Sequence, residues 1–141
     1  MSRTIVLVAC VSKKNNEPMP ARDLYISDWF RKASAYAEQI TDEWYILSAK
    51  HGLVAPEHEI EPYDQTLNEM HSDARKAWAG QVINEIKKYV HCGDQIILLA
   101  GNRYREHLIE PLRRMGCYVE VPMEGLRIGE QLSWLNHELG E

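Results

Sequence analysis

Thr4-Ile5-Val6-Leu7-Val8-Ala9, running directly into Cys10-Val11-Ser12-Lys13-Lys14, decides the fold. A strand with no polar side chain after its first residue is apolar on both faces and must be covered on both. A hydroxyl and two ammonium groups then arrive where the strand ends. The same event recurs further on, where Trp44-Tyr45-Ile46-Leu47 runs into Ser48-Ala49-Lys50-His51-Gly52-Leu53. In an open α/β sheet, the edge at the carboxyl ends of the strands is where ligands bind.

The rest of the chain alternates in the way such a sheet requires. Leu24, Trp29, Phe30, Ala33, Ala37 and Ile40 give one apolar face to a helix over residues 21–40. A second strand covers Glu43 to Ser48. Ala49 to His71 has no period and holds Pro56 and Pro62, so it reads as a long functional loop, 49–71. Ser72 reads as the N-cap of a helix ending near Val90, with Ala74, Trp78, Val82, Ile86 and Val90 along one side. His91-Cys92-Gly93-Asp94 turns the chain into a third strand, Gln95 to Ala100. A third helix carries Tyr104, Leu108, Leu112 and Met115, with Gly116 beyond its end. A short strand from Tyr118 to Val121, a loop to Arg127 and a final helix with Ile128, Leu132, Leu135 and Leu139 complete the order. The expectation is a single α/β domain over 1–141: a Rossmann-like three-layer sandwich with a mostly parallel sheet of about four strands.

A chain of 141 residues can bury a core without metal or disulfide help. A net charge of −5 argues against non-specific coating of nucleic acid but leaves room for a local basic cleft. Cys10, Cys92 and Cys117 are an odd number without CxxC spacing, which disfavours a disulfide scaffold and a zinc site. The chain opens into a strand without a signal-like apolar region, and no run approaches the ~18 apolar residues of a membrane span. The expected setting is a reducing cytoplasm, with no membrane partner. No histidine pair has the helical i, i+4 spacing of a zinc motif, so no metal or cofactor is expected.

Each strand end offers a functional and a structural reading. Ser12, Lys13 and Lys14 suit a phosphate or carboxylate, or form a solvated loop. Cys10 is a nucleophile if cations lower its pKa, and otherwise a small buried side chain. Lys50 and His51 supply a cation and a proton carrier, and Gly52 allows a tight turn or a close approach to a ligand. Asp64 serves as general acid, general base or stabiliser of a cationic transition state, or else caps a turn together with Thr66. Glu57, Glu59 and Glu61 read as solvated charges. Gly101 and Asn102 open a helix whose N–H groups favour an anion. Tyr104 either stacks on a ring or faces the core. Glu124-Gly125-Leu126-Arg127-Ile128-Gly129 reads as a plain β–α connection.

These motifs resemble a small bacterial and phage family of the DUF type. That family is itself distantly similar to YaaA-like peroxide-stress proteins and to domains associated with tRNA-guanine transglycosylase-like enzymes. The matching pieces are Cys10-x-Ser12-Lys13-Lys14, Ala21-x-x-Leu24-Tyr25-x-Ser27-x-x-Phe30, Trp44-x-Ile46-Leu47-Ser48-Ala49-Lys50-His51-Gly52-Leu53, Pro62-Tyr63-Asp64-x-Thr66-Leu67, Gly101-x-x-Tyr104 and the run from Gly125 to Leu135. The resemblance implies nucleotide, nucleobase or nucleic-acid chemistry, with cleavage or exchange of an N-glycosidic bond as the reaction. Asp64, His51 and Lys50 are then the catalytic candidates. Ser12, Lys13 and Lys50 would hold phosphate, Tyr25 or Tyr63 would stack on the base, and Cys10, Ser48, Gly52, Thr66, Gly101, Asn102 and Tyr104 would complete the binding set. Two rivals stand beside this expectation. One is a non-catalytic module that sequesters a nucleotide in stress or phage–host conflict. The other is a structural protein forming a homodimer through its last helix, with Trp134 outside the main stripe.

Overall fold

The computed structural model describes residues 3–9, 14, 16–63 and 66–140. Its centre is a five-stranded sheet. Strand β1, Thr4–Ala9, lies in the middle, and Ile5, Val6, Leu7 and Val8 are all fully buried, so both of its faces are covered as its composition requires. The short strand β2, Met19–Pro20, is followed by helices α1, Ala21–Leu24, and α2, Asp28–Ile40. Strand β3, Trp44–Ser48, turns back into the short β4, Gly52–Val54, and then β5, Glu59–Ile60. A 3-10 turn at Leu67–Glu69 precedes helix α3, Ser72–Ile86, and strand β6, Gln95–Leu99. Helices α4, Asn102–Arg105, and α5, Ile109–Arg114, lead to strand β7, Tyr118–Glu120, and helix α6, Ile128–Glu138.

The sheet order is β4-β3-β1-β6-β7. Strand β1 pairs in parallel with β3 (Ala9 opposite Leu47) and with β6 (Val8 opposite Leu99), so these three strands finish on one edge. Strand β7 continues the parallel run, while β4 is antiparallel. The mixed α/β architecture and mostly parallel sheet agree with the sequence reading, with five strands in place of about four. Strands β2 and β5 form a separate antiparallel pair.

Four local expectations are corrected. The helix expected over 21–40 is interrupted at Tyr25, which bridges to Lys14, and restarts where the Ser27 hydroxyl accepts from Phe30 N–H at 3.2 Å. The stretch 49–71 is not structureless, because it carries β4, β5 and the 3-10 turn. Ser72 is the first helical residue and not the cap, and the helix ends at Ile86. The third helix is split into α4 and α5. The restart at Ile109 leaves Pro111 in a first turn, where its missing N–H is not needed.

The edge opposite the strand ends is pinned by Asp94, which is fully buried. Its carboxylate accepts from Arg3 N–H at 3.1 Å and His91 N–H at 2.8 Å, and pairs with the Arg3 guanidinium at 3.3 Å. Burial opposes its ionisation, but the hydrogen bonds from His91 and Arg3 outweigh that and hold the carboxyl below its ordinary value. Among the described residues, no helix is long and apolar enough to cross a membrane.

Candidate functional site: a cleft at the strand ends

Chain order places β3 on one side of β1 and β6 on the other, so the connection reverses direction across β1. Such a reversal leaves a crevice at the carboxyl edge, here between β1 and β6. A cleft of about 490 Å³ occupies that position, within the range of small-ligand sites. Ala9 reaches it from the end of β1, and Gly101 to Tyr104 from the turn after β6. Ser27 and Trp29 enter from the start of α2, Asn68 from the 3-10 turn, and Ile128, Gln131 and Leu132 from α6.

The lining divides by chemistry. Trp29, Ile128 and Leu132 supply apolar surface, with Ile128 62% exposed at the mouth, while Tyr104 borders the cleft from the core at 3% exposure. The Trp29 indole N–H donates to Gln131 Oε1 at 2.9 Å, and the Gln131 amide N–H donates to the Leu126 carbonyl at 2.8 Å. These two bonds fix the indole and the amide in orientation. By contrast, the side chains of Asn68, Asn102 and Arg103 are exposed and find no hydrogen-bond partner among the described residues. Two unengaged amides and a guanidinium beside aromatic surface suit a planar ligand with polar edges and an anionic substituent.

A buried polar chain adjoins the cleft at the end of β3. The fully buried Ser48 donates from its hydroxyl to the Tyr63 phenol at 2.8 Å, and that phenol meets the Tyr25 phenol at 2.7 Å. Ser48 Oγ also accepts from His51 N–H at 3.1 Å, closing the turn into β4. The Ser48 carbonyl accepts from the Trp78 indole at 2.8 Å, and the Trp78 ring meets Tyr104 nearly perpendicular at 5.7 Å. Tyr104 therefore connects this chain to the cleft. Lys14 Nζ lies 4.5 Å from the centre of the Tyr63 ring, a cation–π distance.

His51 packs edge-on against Tyr63 at 5.5 Å, and its buried Nε2 has no hydrogen bond among the described residues. Burial, then the charges of Lys50 and His58, push its pKa below the ordinary histidine value, so the ring is neutral near pH 7.

The structure brings Gly101, Asn102 and Tyr104 into the cleft, and Tyr25, Ser48, His51 and Tyr63 into the adjoining chain. Lys50 is exposed beside that chain. Gly52, with φ 74°, makes the tight turn. A Cβ there would sit 2.6 Å from Glu85 Oε1, so the position is packed against α3 and not open to a ligand. Thr66 accepts from Asn68 N–H at 3.3 Å, the capping role, and so positions Asn68 in the cleft. Cys10, Ser12, Lys13 and Asp64 lie outside the described residues. Among the described residues, no three histidine, cysteine or carboxylate side chains gather as a metal centre requires.

Sequence reasoning missed Trp29, Asn68, Arg103, Ile128, Gln131 and Leu132. Trp29 counted there as part of a core face, and the run from Glu124 to Gly129 as a plain connection. The one available signal was Ile128, a large apolar residue at the exposed start of a helix.

The fold and cleft define an α/β protein with a small-molecule-sized site at the switch point of its sheet. The chain belongs to the family of unknown function DUF6884, whose model matches residues 5–137. It is similar to the uncharacterized protein YfjM of Bacillus subtilis (strain 168), with 28% identity over 152 residues, covering 99% of this chain and 97% of that protein. No solved structure matches the chain.

Proposed function

We propose that the chain binds a nucleotide or modified nucleobase in the cleft between β1 and β6 and acts on its N-glycosidic bond. The observation that carries this reading is the pairing of the Trp29 indole with the amides of Asn68 and Asn102, which find no partner among the described residues. A base needs a flat apolar surface for its face and amides for its edge. Arg103 is the cation for a phosphate. In this reading the fold is a Rossmann-like three-layer sandwich, which places the ligand at the strand edge. The motif resemblance to YaaA-like proteins and transglycosylase-associated domains supports the same chemistry. Departure of a base leaves positive charge on the sugar, and Asp64 is the candidate to stabilise it or to activate water.

A second reading is retention without turnover. It is favoured by the described lining of the cleft, which holds no carboxylate, thiol or imidazole. One assay separates the two. The chain is incubated with nucleosides, nucleotides and DNA containing modified bases, and free base is sought by mass spectrometry. Release that is lost in Asp64→Asn, with folding intact, supports the enzyme. Tight retention without product supports sequestration, and absence of both binding and product overturns the proposal.

A further inference from the structure

We propose that Cys92 and Cys117 are a redox modification site that closes a reversible disulfide at the sheet edge opposite the cleft. Cys92 is exposed and Cys117 buried, and both are free thiols. Two contacts place their two turns side by side. A Cβ built on Gly116 would sit 2.5 Å from Cys92 Sγ and 3.4 Å from Cys92 Cα. With a carbon–carbon bond of about 1.5 Å, the α-carbons of Cys92 and Gly116 are at most about 5 Å apart. Gly116 immediately precedes Cys117. On the other side, Cys117 Sγ lies 3.8 Å from the His91 carbonyl oxygen, the group joined to Cys92 N. The bond from Gly93 N–H to the Gly116 carbonyl, 2.9 Å, holds the two backbones together. Bridged cysteines need α-carbons roughly 4.4–6.8 Å apart. Cys117 is one step of about 3.8 Å from Gly116, so its α-carbon lies within about 9 Å of that of Cys92, and the proposal requires the pair to settle into the narrower range with rotation of the exposed Cys92 side chain.

The asymmetry assigns the roles. The exposed Cys92 thiolate attacks a small-molecule disulfide such as glutathione disulfide, forming a mixed disulfide and releasing one thiol. The Cys117 thiol then loses its proton and attacks the Cys92 sulfur, releasing the second thiol. The protein loses two hydrogens and two electrons, and the reagent gains them. The ring closed in this way holds residues 92–117, which include β6, α4 and α5 and therefore the Gly101–Tyr104 segment of the cleft.

The test uses the full, folded, reduced chain with glutathione disulfide, followed by alkylation under denaturing conditions and peptide mapping. The expected product is a protein about 2 Da lighter with a peptide joining Cys92 to Cys117. Its Tm should rise by roughly 5–10 °C and return on reduction. Cys92→Ser should abolish the cross-link, and Cys117→Ser should stop at a stable glutathione adduct on Cys92. If Cys117→Ser fails to fold, the wild-type peptide map alone decides. A stable glutathione adduct on wild-type Cys92, unmodified thiols throughout, or a cross-link through Cys10 would each overturn the proposal.

Discussion

Replacing Asp94 by asparagine tests the packing that sets the sheet register. The carboxylate is fully buried and accepts two backbone N–H groups, from Arg3 and His91, besides its pairing with the Arg3 guanidinium. Asparagine keeps one acceptor oxygen but turns an NH2 toward donors. At least one charge-assisted bond is lost and one N–H is opposed by another donor. Breaking a buried pair costs about 3–5 kcal/mol. The Arg3 side chain is 40% exposed and regains water, so the lower end applies, about 3 kcal/mol. A chain of this length unfolds with an entropy of roughly 0.3 kcal/mol/K, so Tm should fall by about 10 °C in circular dichroism or calorimetry. The pH dependence follows from the same group. Its folded pKa is depressed, so its stabilisation is complete above the ordinary carboxylate value and is lost as pH falls through the folded value. Asp94→Asn should therefore flatten the acid limb of the stability curve as well as lower Tm. A shift under 2 °C with an unchanged acid limb would refute the reasoning.

Other perturbations probe the rim. Gly52→Ala forces a Cβ at φ 74° against Glu85 and Gln81, whereas Gly125→Ala places one at φ 83° in open space. Both carry about 1–2 kcal/mol of backbone strain, so chemical denaturation should show Gly52→Ala as the more damaging change by the cost of displacing two side chains. His51 should titrate below 6.5 by NMR, because burial disfavours its charged form. Its folded pKa is lowered, so its stability contribution is complete above about 6.5 and declines as pH falls from there through the folded value. A midpoint at or above 6.5 would contradict the burial of its Nε2.

What was legible in the sequence was whatever rests on local pattern. The uninterrupted apolar run of β1 announced a central strand, and the alternation of elements announced a mostly parallel sheet. Strand β4 was not legible, because Gly52-Leu53-Val54 becomes a strand only by pairing with the end of β3. The break before α2 likewise depends on a bridge between Lys14 and Tyr25. At the site, Gly101, Asn102 and Tyr104 were readable because they immediately follow a strand. Trp29, Asn68 and Gln131 were not, since each reaches the cleft from a different element. Periodicity marks which face of a helix is apolar, and does not tell a residue that packs inward from one that lines a cleft.

The proposed base-binding role of the cleft is tested most directly by titrating the isotope-labelled chain with nucleosides and nucleoside monophosphates while following the Trp29 indole N–H and the Gln131 side-chain amide. The account predicts saturable shifts of both signals, and Trp29→Ala should weaken affinity about 5–150-fold, the equivalent of ~1–3 kcal/mol of stacking on one base. Silence at both positions across the whole ligand series, or undiminished affinity in Trp29→Ala, would contradict it.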